Sequence, residues 1–104
     1  SGATVGTVDL YDFEPYHSRV GVGILVDSDY RGRGLALIAL NLVMDYALRF
    51  LKLDQVYAYI PSMNISSLHL FRNAGFVETA NLKKWNKVEG GFTDVFVYQF
   101  ISRD

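Results

Sequence analysis

The sequence predicts a single domain that combines helices and strands, in the α/β (α+β) class. We expect a mixed sheet and two helices in the order β-β-α-β-α-β-β. Short β-branched and aromatic runs alternate with two longer runs of helical character. A glycine-rich turn joins the second strand to the first helix, and a Gly-Gly pair separates two alternating runs near the C-terminus. With 104 residues, half of them apolar, the chain is long enough for one core. We therefore expect residues 1–104 to form one domain.

The first two strands are indicated by β-branched residues around a short turn. Thr4 to Asp12 reads as a strand, residues 14–17 as a turn, and Arg19 to Asp27 as a second strand. Gly21 and Gly23 fall on one face of that second strand. Because glycine has no side chain, we expect this face to leave room for another backbone or a ligand.

A long helix is expected from about Arg33 to Leu53. Its strongly polar residues are spaced four, four and three apart, which predicts one narrow solvent stripe on an otherwise buried cylinder: Asn41, Asp45, Arg49 and Lys52. The helix is followed by a third strand around residues 56–60. A strand-helix-strand crossover predicts that the second and third strands are parallel.

The rest of the chain predicts a short helix and a hairpin. Asn64 or Ser66 is suited to cap a helix that runs to about Ala74, and Gly75 is suited to end it. Two alternating runs then flank Glu89-Gly90-Gly91, which is a hairpin signal.

Composition excludes several kinds of partner. Ten Lys and Arg residues oppose eleven Asp and Glu, so no global field draws the chain to nucleic acid or to an anionic membrane surface. There is no cysteine, hence no thiol nucleophile and no thiolate metal site, and the two histidines lie too far apart for a metal centre. No signal peptide is evident, and we expect a cytoplasmic protein without a metal.

The turn Tyr30-Arg31-Gly32-Arg33-Gly34-Leu35-Ala36 is the strongest local signal. A glycine turn that opens a helix directs several backbone N–H groups at one place, where the helix dipole also favours negative charge. Two arginines add cations beside those amides. The turn is therefore either a phosphate cradle or a tight strand-to-helix connection whose arginines are solvated.

The same turn resembles the signature of the GCN5-related N-acetyltransferases, whose acetyl-CoA motif is Q/R-x-x-G-x-G/A. Arg31, Gly34 and Ala36 fill its specified positions. A second block, residues 64–76, is similar to the family segment N-x-x-(A/S)-x-x-L-Y-x-x-x-G-F. The C-terminal Gly-Gly hairpin before the final strand resembles that of the family branch that contains spermidine and ribosomal-protein N-terminal acetyltransferases. The resemblance implies a GNAT-like fold and transfer of an acetyl group from acetyl-CoA to a primary amine, such as a polyamine or a peptide N-terminus.

The resemblance also implies that elements are missing. Family members begin with a strand and two helices that line the acceptor site, so we expect this chain to be the C-terminal, acetyl-CoA-binding part of a longer protein. A complete small member of the family is the alternative. Without the missing elements the long helix and the first strand would be exposed, and self-association as a homodimer or strand exchange could cover them.

The resemblance assigns the acetyl-CoA site to three parts of the sequence. The strand residues would hydrogen-bond the pantetheine arm, the turn would hold the pyrophosphate, and Asn64 would contact the arm. The predicted binding residues are Ile24, Leu25, Val26, Arg31, Gly32, Arg33, Gly34, Leu35, Ala36 and Asn64. For the three strand residues the alternative is a place in the core, and for Asn64 it is a helix cap.

The catalytic groups are less well defined. Ser67 aligns with a residue proposed to protonate the thiolate in the ribosomal-protein branch, although a first-turn serine can instead bond the backbone. Phe71 stands where many relatives carry a tyrosine as general acid, and a phenyl ring has no proton to donate. Candidates for the general base are His17, Glu14 and Asp12 near the first turn; Tyr57 and Tyr59 are expected to be core or channel wall. The competing interpretation is a non-catalytic CoA-binding fragment or interaction module.

Overall fold

The computed structural model describes residues 6–26 and 34–102 and confirms the predicted order of elements. The elements are β1 (Gly6–Glu14), β2 (Arg19–Val26), α1 (Leu35–Asp45) with a π-helical turn (Tyr46–Phe50), β3 (Gln55–Pro61), α2 (Ile65–Asn73), β4 (Val77–Val88) and β5 (Gly91–Ile101).

The five strands form one mixed sheet in the order β1-β2-β3-β5-β4. β2 and β3 are parallel, as the crossover through α1 predicts, and every other neighbouring pair is antiparallel. In the C-terminal hairpin, β5 pairs with β3, and β4 lies at the edge of the sheet. The two parallel strands therefore lie beside each other with an antiparallel strand on either side.

The core lies on one face of the sheet, where both helices pack. It combines alternate residues of β2, β3 and β5 with the inner faces of α1 and α2, and its buried members are Val20, Val22, Leu40, Met44, Ala47, Leu53, Val56, Ala58, Ile60, Leu68, Phe71, Phe76 and Tyr98. This is a two-layer α+β arrangement. The opposite face of the sheet carries the tyrosines of β1 and β3.

The long helix is shorter than predicted. α1 ends at Asp45, and the next turn is π-helical, with Leu51 N–H donating to the Tyr46 carbonyl at 2.9 Å. The chain then leaves the helix through Lys52, whose φ of 56° is left-handed. Such a wide turn depends on how the inner residues seat against the sheet, which a helical period in the sequence does not reveal.

The prediction of a narrow polar stripe on this helix is wrong. A row of large apolar side chains lies exposed beside the polar residues, and its members are Ile38, Leu42, Tyr46 and Phe50. We call this row the outer apolar row. The rings of Tyr46 and Phe50 stack at 5.1 Å. Only the side that carries Leu40, Met44 and Ala47 faces the core.

β1 extends further than predicted because it contains a bulge. The register shifts between Tyr11 and Glu14, and Asp12 takes a φ of 50°, so that Glu14 still pairs with Arg19. The predicted start of this strand, residues 4–5, lies outside the described residues.

α2 and the C-terminal hairpin follow the predictions. Asn64 caps α2, and Gly75 ends it with a φ of 97° while Phe76 N–H donates back to the Phe71 carbonyl at 3.0 Å. In the hairpin, Val88 pairs with Gly91, which leaves Glu89 and Gly90 as the turn.

Candidate functional site

The two parallel strands of the sheet separate after a short stretch of pairing. β2 and β3 are in register only from Arg19–Gln55 to Gly21–Tyr57, although both strands continue. Residues 22–26 of β2 and 58–61 of β3 therefore present backbone edges to the gap between them. We call this gap the fork and its closed end, at Gly21 and Tyr57, the vertex. Unpaired strand edges can bind an extended ligand as another strand would.

The predicted pantetheine-binding residues lie on one arm of the fork. Ile24, Leu25 and Val26 follow the last residue that pairs with β3, and on their other side they pair with β1. Ile24 is half-buried and packs against the core. The backbone of this arm is thus supported on one side and available on the other.

Among the described residues, no side chain caps the N-terminus of α1. Gly34 occupies the cap position with a φ of 75°, makes no side-chain hydrogen bond, and no acidic residue lies in the first turn. The first N–H groups of a helix have no partner within it, so the amides of Leu35 and Ala36 are suited to an anion. Arg31, Gly32 and Arg33 lie outside the described residues.

The N-terminus of α2 is closed by its own side chain. Asn64 Oδ1 accepts hydrogen bonds from Ser67 N–H and from Ser66 Oγ, both at 3.2 Å. The alternative reading of Asn64, a helix cap, is therefore the role that the structure shows, and its contact with a pantetheine arm stays a prediction. Ser67 is half-buried, and within the described ranges its hydroxyl makes no hydrogen bond.

Phe71 is a core residue. Its side chain is 2% exposed and packs edge-to-face on Phe76, with ring centroids 4.9 Å apart. No hydroxyl reaches the site from this position. Position 71 therefore supplies no proton donor.

Three tyrosines occupy the sheet face opposite the helices, beside the vertex. Tyr11 meets Tyr57 edge-on at 6.1 Å, and Tyr57 meets Tyr59 at 5.8 Å. Tyr57 is half-buried and Tyr59 is exposed, so these two rings form a wall on this face and do not belong to the core. The space expected at Gly21 is filled by the ring of Tyr11, because a Cβ on Gly21 would overlap that ring.

Burial changes the acidity of two of these tyrosines. Loss of solvent raises the pKa of Tyr11 above its usual 10.0, while a hydrogen bond with the backbone of Tyr59 acts in the opposite direction. Desolvation also raises the pKa of Tyr57, and the negative charge of Asp12 adds to that effect. Both phenols therefore keep their protons at neutral pH.

The predicted general-base residues lie at the closed end of the fork. Glu14 forms an ion pair with Arg19 at 3.5 Å, and His17 is exposed in the adjoining turn, edge-on to Tyr16. Arg19 precedes Ile24 by five residues on β2, which is about 16 Å of extended strand. The structure thus separates these two candidates from the open end of the fork, and their catalytic role stays a prediction.

Sequence reasoning missed Tyr11 and the divergence of β2 from β3. The signal for Tyr11 was present: two glycines on one face of β2 leave space, and the neighbouring strand supplies the side chain that fills it. Nothing in the sequence of β2 or β3 marks the residue at which pairing stops.

The described residues contain neither a metal-binding cluster nor a helix suited to span a membrane. Among residues 6–26 and 34–102, no group of three or more His, Cys, Asp or Glu side chains is arranged to hold a metal ion. Within the same residues, no helix has the length and apolarity needed to cross a membrane.

The described residues thus form a two-layer domain with a forked mixed sheet and a helix, α1, whose first residue Gly34 provides no side-chain cap. The sequence matches the acetyltransferase (GNAT) domain over residues 1–77. The chain belongs to this family.

The chain is similar in sequence and in structure to a spermidine acetyltransferase. The chain is 28% identical over 91 residues to spermidine N(1)-acetyltransferase of Vibrio cholerae serotype O1, a match that covers 88% of this chain and 53% of the relative. The dodecameric structure of the Vibrio cholerae enzyme superposes with a TM-score of 0.87 at 25% identity, covering 95% of this chain and 58% of the other.

A ribosomal-protein-S5-alanine acetyltransferase from Vibrio fischeri superposes with a TM-score of 0.89 at 26% identity, covering 96% of this chain and 55% of the other. The chain thus spans little more than half the length of the relatives that it matches.

Proposed function

We propose that this chain binds acetyl-CoA along the fork and takes part in transferring its acetyl group to a primary amine. The observation that carries the proposal is the combination of an arm of β2 with an unpaired edge and the uncapped N-terminus of α1, joined by a single connection. Membership of the acetyltransferase family supports the same assignment.

The described residues fit the two ends of acetyl-CoA. The backbone edge at Ile24, Leu25 and Val26 suits the amide-containing pantetheine arm, because amides can pair with a strand. The amides of Leu35 and Ala36 suit the pyrophosphate, and Gly34 adds no side chain that would crowd it. Acetyl-CoA supplies the activated acyl group as a thioester.

The acceptor amine is assigned to the sheet face that carries the tyrosines. Asp12 is near enough to Tyr57 to raise the pKa of its phenol, so a negative charge lies beside exposed aromatic rings. Carboxylates and aromatic faces both attract ammonium groups. We therefore propose a cationic acceptor, such as a polyamine or a peptide N-terminus. The names of the spermidine acetyltransferase relatives support the polyamine.

The experiment is a thiol-release assay with acetyl-CoA and a panel of amines, run beside isothermal titration of the protein with acetyl-CoA. Spermidine, an alanine-terminated peptide and a neutral primary amine should separate cationic from uncharged acceptors. Release of CoA that depends on the amine supports the transferase. Binding without release favours the non-catalytic CoA-binding module, and no binding at millimolar acetyl-CoA contradicts the whole assignment.

We further propose that the outer apolar row of α1 pairs with a second copy of this chain. Ile38, Leu42 and Phe50 are between 57% and 72% exposed, which is unusual for neighbouring large apolar side chains. Sedimentation of wild type and Leu42→Lys at several concentrations tests it. A dimer that the substitution converts to a monomer is expected, and an unchanged monomer at all concentrations contradicts it.

A further inference from the structure

The vertex of the fork is occupied by a side chain from a third strand. Tyr11 lies directly opposite Gly21 in the β1–β2 register, and Gly21 is the last β2 residue that pairs with β3. Because Gly21 has no Cβ, the ring of Tyr11 lies over its backbone. Any other residue at position 21 would displace the ring.

The Tyr11 ring crosses β2 and reaches β3. Its centroid is 6.1 Å from that of Tyr57, the partner of Gly21, and the outer atoms of the ring lie over the backbone of Gly21. The phenol hydroxyl thus lies where the two arms begin to separate.

The direction of a bound substrate follows from the two ends of the fork. β2 leads toward α1 from Val26, so the anionic end of acetyl-CoA at Leu35 and Ala36 belongs to the open end. The pantetheine part of acetyl-CoA, bound along β2 from that end, would direct its thioester toward the vertex. The Tyr11 hydroxyl therefore lies, beside the phenol of Tyr57, at the end that the acyl carbon would reach.

We propose that the Tyr11 hydroxyl is the general acid that protonates the leaving thiolate of CoA; this rests on the transferase function proposed above. The amine nitrogen, once it has lost its ammonium proton to solvent, attacks the thioester carbon and forms the C–N bond. The C–S bond then breaks with its electron pair on sulfur, and the phenol proton passes to that sulfur. The proton lost by the amine nitrogen restores the phenol.

The other elements at the fork offer few rivals for this role. Phe71 is buried and has no hydroxyl, whereas Ser67 lies in the first turn of α2 with its N–H bound to the Asn64 side chain. A phenol is much more acidic than an aliphatic hydroxyl and transfers its proton more readily to a thiolate.

The decisive comparison is Tyr11→Phe against wild type, with Tyr46→Phe as the matched control on the outer side of α1. Phenylalanine keeps the ring over Gly21 and removes only the hydroxyl. We expect kcat to fall by about 100-fold in Tyr11→Phe, a size typical of general acid catalysis, while acetyl-CoA affinity and the KM of the amine stay within about twofold. Tyr46→Phe should match wild type.

Two readouts distinguish proton donation from packing. Incorporation of 3,5-difluorotyrosine at position 11 lowers the pKa of the phenol, and the alkaline limb of the kcat profile should move to lower pH with it. Separately, NMR titration of ¹³Cζ-labelled tyrosines should show, beside the raised phenol of Tyr57, a second phenol that titrates above 10.0 and is missing from the spectrum of Tyr11→Phe. This second readout needs no turnover.

The outcomes separate the proposal from the function beneath it. Wild-type turnover with unchanged kcat in Tyr11→Phe overturns the role of Tyr11 and leaves the transferase intact. Acetyl-CoA binding without turnover in wild type overturns the transferase and the general acid together. A Tyr11 phenol that titrates at its ordinary value contradicts its burial at the vertex. Gly21→Ala, which pushes the ring away, should reproduce the loss of kcat.

Discussion

The N-termini of the two helices are built differently, although both helices pack on the same face of the sheet. α2 begins with Asn64, whose side chain accepts hydrogen bonds from Ser66 and Ser67. α1 begins with Gly34, which offers no side chain and is followed by no acid in the first turn. An uncapped helix end leaves N–H groups and a partial positive charge for an external anion. α2 is therefore capped by its own residue Asn64, whereas α1 has no side-chain cap at Gly34, and we propose that a ligand fills this place.

The largest effect is expected from an acidic residue placed at the N-terminus of α1, which should weaken the binding of acetyl-CoA. Gly34→Glu places a carboxylate beside the amides that we assign to pyrophosphate, and like charges about 4 Å apart near a protein surface repel by about 4 kcal/mol. We expect acetyl-CoA affinity to fall at least about 100-fold, measured by titration calorimetry. The fold should survive, because a Cβ at Gly34 meets nothing within 4 Å.

The matched control is Gly90→Glu in the hairpin turn. Gly90 has a φ of 85°, close to the 75° of Gly34, and its Cβ would also meet nothing within 4 Å. The strain of a left-handed non-glycine residue is therefore present in both variants, and only Gly34→Glu adds charge at α1. Equal loss of affinity in both variants would refute a specific anion site at this helix.

A smaller effect is expected when the cap of α2 is removed. Asn64→Ala leaves the Ser67 N–H without its partner, and loss of such a cap costs about 1 kcal/mol of the free energy of unfolding. The midpoint of thermal unfolding should fall by about 4 °C. Calorimetry or circular dichroism measures the change.

Asn64→Ser separates the two roles considered for this residue. Serine also caps helices but lacks the amide nitrogen that could donate to the pantetheine arm. If Asn64 contacts acetyl-CoA, its affinity should fall in both Asn64→Ser and Asn64→Ala, while only the alanine variant loses stability. An unchanged affinity in the serine variant would leave Asn64 with the cap alone.

The smallest effect is expected at the vertex, where the two buried phenols should make stability depend on pH. Neither helix N-terminus contributes to this dependence. Tyr11 and Tyr57 have pKa values above 10.0 in the folded state, so their contribution to stability is complete below pH 10 and is lost as the pH rises through the folded values. Stability from urea titrations should be flat from pH 7 to 9 and decline above 10. Tyr57→Phe should decline less steeply, and parallel curves would contradict the burial of this phenol.

Much of the fold could be predicted from the sequence because local signals agree with the tertiary structure. Gly75 adopts the left-handed conformation that ends α2, and the Glu89-Gly90 turn sets the register of the hairpin at Val88 and Gly91. The parallel pairing of β2 and β3 follows from the helix between them. In each case a single residue type or a chain crossover determines the geometry.

The features that could not be predicted depend on contacts between distant segments. The π-helical turn Tyr46–Phe50 and the exposed outer apolar row depend on how α1 lies on the sheet, and amphipathic spacing alone predicted a buried cylinder. The bulge at Asp12 and the vertex at Gly21 arise from pairing across three strands. The role of Tyr11 could be recognised only once that pairing was known.

The central claim is that the open end of α1 holds the anionic part of acetyl-CoA while the β2 arm holds the rest. The most direct measurement is a ¹⁵N NMR titration of the protein with acetyl-CoA and, in parallel, with S-acetylpantetheine, which lacks the pyrophosphate. We predict that the amides of Ile24, Leu25 and Val26 shift with both ligands, whereas those of Leu35 and Ala36 shift only with acetyl-CoA. Leu35 and Ala36 amides that do not respond to saturating acetyl-CoA would contradict the claim.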